Sequence, residues 1–395
     1  MPEEQPAILY HFRTRGSGAE AVHISGMAEA FERKGSRILF SSPTGIDPRN
    51  HKGSNPFASS GDKKSLVARL SDKLPDCCFE FLELAYNFYA YFRNLEITRK
   101  NRIAFIYERH AFFLFSTAIL ASLRNIPLIV EVNELIGDER IRRQPLMKAV
   151  AEWTDRVVFS KAALIVVVSP HLRRRIISSG IPEQRVLVLP NAIHPEEFVP
   201  DLPPDKVRRS LGLKPSDLVI AFVGWFVPWH RLDWTMECFA SMTSDHPKAR
   251  LVLFGDGDLK DQLVSKARQL GIQEKVLFPG PIDHEQIPNH LNAADVCLIP
   301  HSNAFRSPIK LFEYMALGKA IVAPATEPIS AVVSDEQEAL LFPMGSKDGF
   351  MKALDRLLSS ESLRAELGGR ARSHVLTHHT WDQNAQQVLQ GLEGH

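Results

Sequence analysis

Arg306-Ser307-Pro308-Ile309-Lys310-Leu311-Phe312-Glu313-Tyr314-Met315-Ala316-Leu317-Gly318-Lys319-Ala320-Ile321-Val322-Ala323-Pro324 reads as one continuous unit. A proline turn opens a short helix, a glycine stops it, and an apolar strand follows. The helix start offers unpaired backbone N–H groups to an anion. Glu313 stands about one turn inside that helix.

Outward from this stretch, apolar runs alternate with amphipathic helices from end to end, the pattern of parallel sheets with helices on both faces. Ala7–Phe12, Arg37–Ser41, Ile103–Tyr107, Leu128–Val132, Leu164–Val168 and Val186–Leu189 read as strands of a first sheet. Leu218–Val223, Leu251–Phe254, Val276–Phe278, Val296–Pro300, Ala320–Ala323 and Leu340–Phe342 read as a second. Between them, the turn-rich stretch from Pro190 to Pro200 and the pair Pro203-Pro204 mark a boundary. A chain of 395 residues exceeds what one core organises. The expected fold class is therefore α/β, with two Rossmann-like domains facing across a cleft. They occupy residues 1–195 and 196–375, with a C-terminal helix in residues 376–395 packing back on the first.

The formal charge of +1 hides an asymmetry: residues 1–195 hold 27 Lys and Arg against 20 Asp and Glu, and the remainder 20 against 26. The amino-terminal half is the one suited to an anionic surface. Cys77, Cys78, Cys238 and Cys297 show neither metal-ligand spacing nor a disulfide framework, which suits a reducing compartment. The acidic start, Met1 to Pro6, lacks a charged n-region and apolar core, so no secretory signal is expected. The longest apolar run, Ala111 to Leu123, is too short to span a bilayer. A cytoplasmic protein follows, at most peripheral at the inner membrane face. A helix carrying Phe79, Phe81, Leu82, Leu84, Ala85, Phe88, Tyr89 and Phe92 reads first as core packing, with an acceptor-lipid or membrane face as the alternative. Pro43–Lys64, rich in Gly, Ser, Asn and Pro, reads as a loop.

Gly16-Ser17-Gly18-Ala19-Glu20-Ala21 fits the spacing G-x-G-x-x-A. Arg13-Thr14-Arg15 separates it from the strand, and the next strand ends in Ser41-Ser42 where a dinucleotide site needs an acid, so NAD is set aside. Asp256 and Asp258 in Phe254-Gly255-Asp256-Gly257-Asp258 offer too few oxygens for an ion, and a glycine-rich stop accounts for them. Neither metal nor cofactor is expected. Arg140–Arg143 and Arg173–Arg175 read as solvated helix faces, with no nucleic-acid partner. Tyr107-Glu108-Arg109-His110 and Glu131-Val132-Asn133-Glu134 each follow a strand, where polar groups face the ligand crevice of a parallel sheet.

The Arg306–Pro324 stretch resembles the signature of the retaining glycosyltransferases of family 4, whose fold is called GT-B, and the resemblance extends over nearly the whole chain. It implies a nucleoside diphosphate sugar as co-substrate, retention of anomeric configuration, no metal in the transfer step, and front-side attack assisted by the leaving phosphate. It places Pro308, Ile309, Lys310 and Leu311 at the diphosphate, Glu313 at the ribose, Gly18 and Gly224 where backbone approaches the donor, and Ile282 at the nucleobase. The chain departs from the family pattern at four positions. Trp225 stands at an Arg position, His230 at a Lys position and Arg231 at a glycine position. Phe305 replaces the first of two glutamates, eight positions before Glu313.

A leaving diphosphate gathers negative charge, so replacement cations are sought in Arg231, Lys310 and a protonated His230. A structural role for His230 beside Trp229 is the alternative. Arg13, Glu108, His110 and Asn133 are the acceptor-side candidates, and His110 is either a catalytic contact or a satisfied histidine. The acceptor class is a glycan, glycolipid or small molecule, lipid-linked and polysaccharide precursors included. A sugar-nucleotide epimerase and a non-catalytic nucleotide-binding member are the other readings.

Overall fold

The computed structural model describes residues 5–14, 19–51, 76–138, 144–200 and 205–394. Gly16 to Gly18, most of Pro43–Lys64, Arg140–Arg143 and Pro203-Pro204 lie outside the described residues. The chain divides into two compact units, Met1–Pro190 with Trp381–His395, and Asn191–Thr380.

In the first unit, β1 (Ala7–His11), β2 (Arg37–Ser41), β3 (Ile103–Arg109), β4 (Leu128–Val132), β5 (Leu164–Val167) and β6 (Val186–Val188) form a parallel sheet ordered β2-β1-β3-β4-β5-β6. In the second, β7 (Leu218–Val223), β8 (Ala249–Phe254), β9 (Val276–Gly280), β10 (Val296–Leu298), β11 (Ala320–Pro324) and β12 (Leu340–Phe342) form another, ordered β12-β11-β10-β7-β8-β9. Every strand read from the sequence is present, its ends moved by a residue or two. β3 continues to Arg109 because that residue stays in register with Glu131 of β4.

Strands buried on both faces carry mostly apolar side chains, which is why they read as apolar runs; Glu131, inside β4, is buried among hydrogen-bond partners. Alternate residues of β7 separate the two faces. Ile220 and Phe222 join one apolar layer under the helices Leu232–Met242 and Lys347–Ser359, and Val219, Ala221 and Val223 join the other, under Ile309–Ala316. The C-terminal helix Trp381–Glu393 packs on the helix Ala19–Arg33 of the first unit. The indole of Trp381 lies so close that a Cβ on Gly26 would meet its ring nitrogen at 2.4 Å.

The helix Asp76–Lys100 corrects one expectation. Leu84 packs against the small core around Phe112 and Phe113, but Phe81, Leu82, Phe88 and Phe92 are exposed. The reason lies in its polar residues, whose hydrogen bonds claim the inward face. No helix among the described residues is long and apolar enough to cross a membrane.

Each sheet has one point where the chain reverses its direction of growth, between β1 and β3 and between β7 and β10. Connections leave such a point in opposite directions and open a crevice at the carboxyl ends of the strands.

Candidate functional site

The switch point of the second sheet gathers the Arg306–Pro324 stretch and the loop after β7. Pro308 caps the helix Ile309–Ala316 in an extended conformation. The turn before it is clamped by Asn191, whose backbone N–H donates to Ser307 Oγ at 3.0 Å and whose side-chain amide donates to Ser307 O at 2.6 Å. On the inner side of the helix, the Tyr314 hydroxyl accepts from the Val223 N–H at the end of β7, at 3.1 Å. Leu311 is buried in the apolar layer, and its backbone N–H donates to the Pro308 carbonyl at 3.1 Å, which leaves the N–H groups before it for an anion.

Lys310 turns back over β7. Its ammonium sits 4.1 Å above the centre of the Phe222 ring and 3.5 Å from His230 Nε2. A Cβ on Gly224 would lie 2.8 Å from Lys310 Nζ, so the glycine, at φ 150°, makes room for the cation. Burial pulls the Lys310 pKa down to about 7, with Glu313 opposing. No carboxylate lies within ion-pair distance of it among the described residues. A partly desolvated cation without an ion-pair contact is a site for an anion.

His230 is not a second cation here, which corrects that expectation. Its Nδ1 lies 2.6 Å from the Trp225 carbonyl, an acceptor only, so Nδ1 carries the proton and Nε2 faces Lys310 with its lone pair. Burial and the neighbouring Lys310 charge hold the imidazole neutral, its pKa far below the ordinary value. His301 and Arg306, from the loop after β10, also act against its protonation. Arg231 keeps the left-handed conformation that a glycine would take, φ 52°. Its side chain is exposed, 4.0 Å from Asp233, and its charge bears on Lys347. Trp225 and Ile282 are half-buried, and Ile282 packs against the apolar layer.

Glu313 is buried, and its Oε1 lies 3.0 Å from His284 Nε2. His284 carries no signal of its own in the sequence, although the family resemblance places Ile282, two residues before it, at the nucleobase. Phe305, in the other glutamate position, is buried, with the Arg306 guanidinium stacked 5.2 Å over its ring.

Asp256 and Asp258 do not form a cluster of ligands. Asp256 Oδ1 accepts from the Gly257 N–H at 3.0 Å and lies 3.5 Å from Lys260.

At the switch point of the first sheet, the four acceptor-side candidates all have intramolecular partners. Glu108 is buried, 2.6 Å from the buried His11. Arg13 donates to Glu83 and to the Phe112 carbonyl, at 2.6 and 2.7 Å. His110 lies 2.8 Å from Asp155, its ring edge-on to Phe112. Asn133 donates to Glu131 Oε1 at 2.6 Å. Glu131 is the hub of this region, also joined to Arg109, Tyr107 and His23. Burial alone would raise its pKa, but His23 and Arg109 hold the carboxyl far below its usual range. Gly18 lies outside the described residues.

Two Rossmann-like units, one with a half-buried cation and a helix start at its switch point, define an α/β protein of the two-sheet GT-B type. Residues 21–197 match the family described as Glycosyltransferase Family 4, and residues 204–374 the family described as Glycosyl transferases group 1; with both domains, the chain belongs to the family 4 glycosyltransferases. It is similar to an uncharacterized glycosyltransferase of Methanocaldococcus jannaschii, 27% identical over 231 residues that take in 57% of this chain and 58% of the relative. A D-inositol 3-phosphate glycosyltransferase of Actinosynnema mirum is 30% identical over 214 residues, 52% of this chain and 51% of the relative. The chain thus spans between half and two thirds of the length of these curated relatives. The crystal structure of Anabaena HepE in complex with UDP-glucose superposes with a TM-score of 0.70 at 15% identity, covering 98% of this chain and 100% of that one. That likeness carries the fold.

Proposed function

We propose that this protein transfers a hexose from a nucleoside diphosphate sugar to an acceptor, with retention of configuration. The observation that carries the reading is Lys310, a half-buried ammonium at the switch point of the second sheet with no carboxylate within ion-pair distance among the described residues. Negative charge that grows on a departing diphosphate is stabilised by a fixed cation in a desolvated site more than the ground state is, and this lowers the barrier. The first N–H groups of Ile309–Ala316 add to that field. Arg231, on the exposed rim of the same loop, is a secondary cation. Glu313, held by His284, would accept from ribose hydroxyls.

The naming of UDP-glucose in the HepE complex makes UDP-hexoses the first donors to try. The acceptor is a glycan, glycolipid or small molecule engaged by the first unit, with Arg13, Glu108, His110 and Asn133 as the network that shapes its side. His110, paired with Asp155, would act from a fixed orientation.

Calorimetric titration with UDP, GDP and their sugars tests the donor half. Glu313→Ala is expected to weaken donor binding by about 1–3 kcal/mol, the loss of charge-assisted hydrogen bonds, with the fold intact. Unchanged affinity would remove Glu313 from the site. Phe305 and Trp225, apolar where the family pattern is charged, favour a second reading as a nucleotide-binding member without transfer. Binding without turnover on any donor would establish it.

Transfer is expected to survive excess EDTA, because Asp256 is engaged by Gly257 and Lys260. Activity lost to EDTA and restored by magnesium or manganese would show that an ion takes part.

A further inference from the structure

The helix Asp76–Lys100 is built inside out. Its inward face is polar and hydrogen-bonded. Glu80 accepts from the backbone N–H groups of Leu146 and Met147 at 2.5 and 2.8 Å. Asn87 donates to the Phe113 carbonyl at 2.7 Å and accepts from the N–H groups of Phe115 and Ser116, both at 2.9 Å. Asn94 accepts from Ser41 at 2.6 Å and donates to Thr117 at 3.2 Å. These three positions recur every two turns and share one stripe of the helix.

The opposite stripe carries Phe81, Leu82, Phe88, Tyr89 and Phe92, each between 49% and 74% exposed. A helix on a water-facing surface has the reverse arrangement. Single exposed apolar residues are ordinary, but a contiguous stripe of five marks a contact surface.

Charge decides what the surface contacts. The final turns of the same helix expose Arg93, Arg99 and Lys100 against a single acid, Glu96, which lies 2.6 Å from Lys100. Residues 1–195 as a whole carry 27 basic against 20 acidic side chains. Aromatic rings beside basic side chains match a bilayer surface, with the rings at the boundary of headgroups and acyl chains and the cations at the phosphates. A second copy of the chain would use the rings and make no use of the basic end.

We propose that this face is a membrane-docking surface that seats the first unit on an anionic lipid bilayer. The inference draws on the first unit alone and stands apart from the donor chemistry. Neither signal suffices by itself, and apolar insertion and electrostatic attraction together give reversible attachment.

The full chain is to be sedimented with vesicles of phosphatidylcholine, and with vesicles of phosphatidylcholine and phosphatidylglycerol in equal parts. Binding is expected to the mixed vesicles, weakened by salt and by the double change Arg99→Glu with Lys100→Glu. Phe88→Ser combined with Phe92→Ser is expected to lower the partition by about tenfold or more, with an unchanged melting temperature, since both rings are exposed. Absence of binding to the mixed vesicles at low salt would overturn the proposal, as would equal binding of the doubly substituted chain. A concentration-dependent dimer in light scattering that the same substitutions dissolve would overturn it too, assigning the face to a second copy.

Discussion

Lys310→Met is expected to lower turnover by about two to three orders of magnitude and, at the same time, to make the second unit more stable. The two effects share one cause. The ammonium is half-buried over the Phe222 ring with no carboxylate within ion-pair distance among the described residues, an arrangement that costs folding free energy and suits an anion that arrives later. The pH dependence gives the sign. Folding moves the Lys310 pKa from its ordinary 10.5 to about 7, so between these values the unfolded chain binds the extra proton and stability rises with pH. Below about pH 7 the side chain is charged in both states and the full cost of burial is present; above about pH 10.5 it is neutral in both and the cost has gone. The stabilisation from Lys310→Met is therefore expected to be about 2–4 kcal/mol below neutrality and to shrink steadily toward pH 10. Urea unfolding at several pH values, run beside single-turnover kinetics, measures both. A substitution that lowers stability, or that leaves turnover intact, would mark Lys310 as structural and remove the observation on which the proposed function rests.

The two sheets were legible because parallel strands covered on both faces admit few polar interruptions, so the twelve appear as mainly apolar runs, with Glu131 inside β4 held by hydrogen bonds. The position of Lys310 and Glu313 on a helix at a switch point was legible for a related reason: a proline turn, a glycine stop and the strand that follows leave the helix little freedom. Other parts were not. Asn191 clamps a turn 116 residues away, and His284 meets Glu313 across 29, and neither pairing leaves a local signal. The neutrality of His230 depends on a carbonyl and a lysine that only the fold brings to its ring. The reading of Asp76–Lys100 failed for a different reason. Its aromatic content points to the core, and its polar spacing points the other way. Glu80, Asn87 and Asn94 recur at intervals of seven, a stripe as regular as the apolar one, and each has a backbone or side-chain partner that the aromatic residues could not have satisfied.

Gly255→Ala is expected to destabilise the second unit by about 3 kcal/mol or more, and to take the donor site with it. Gly255 stands at φ 146°, and a Cβ there would lie 1.9 Å from the Gly224 carbonyl oxygen and 3.1 Å from the Phe226 ring. The backbone of Phe254–Asp258 is the floor on which the loop after β7 rests. Gly224 donates to the Phe254 carbonyl at 3.0 Å, and Phe226 to the Asp256 carbonyl at 2.7 Å. Lifting Gly224 by even part of the overlap closes the space that Lys310 occupies, so stability and turnover are expected to fall together. Gly271→Ala separates strain from collision, because Gly271 also has a positive φ, 69°, but nothing lies within 4 Å of its Cβ position. A cost of about 1 kcal/mol is expected there, with turnover unchanged. Asp256→Asn and Asp258→Asn complete the comparison. If this stretch serves as a floor, the glycines matter and the carboxylates matter little, and both changes should stay within about 1 kcal/mol. Thermal unfolding and transfer rates of the four variants decide: an alanine at 255 that melts with the parent would end the floor account, and loss of transfer in the two asparagine variants with the fold intact would return the carboxylates to the chemistry.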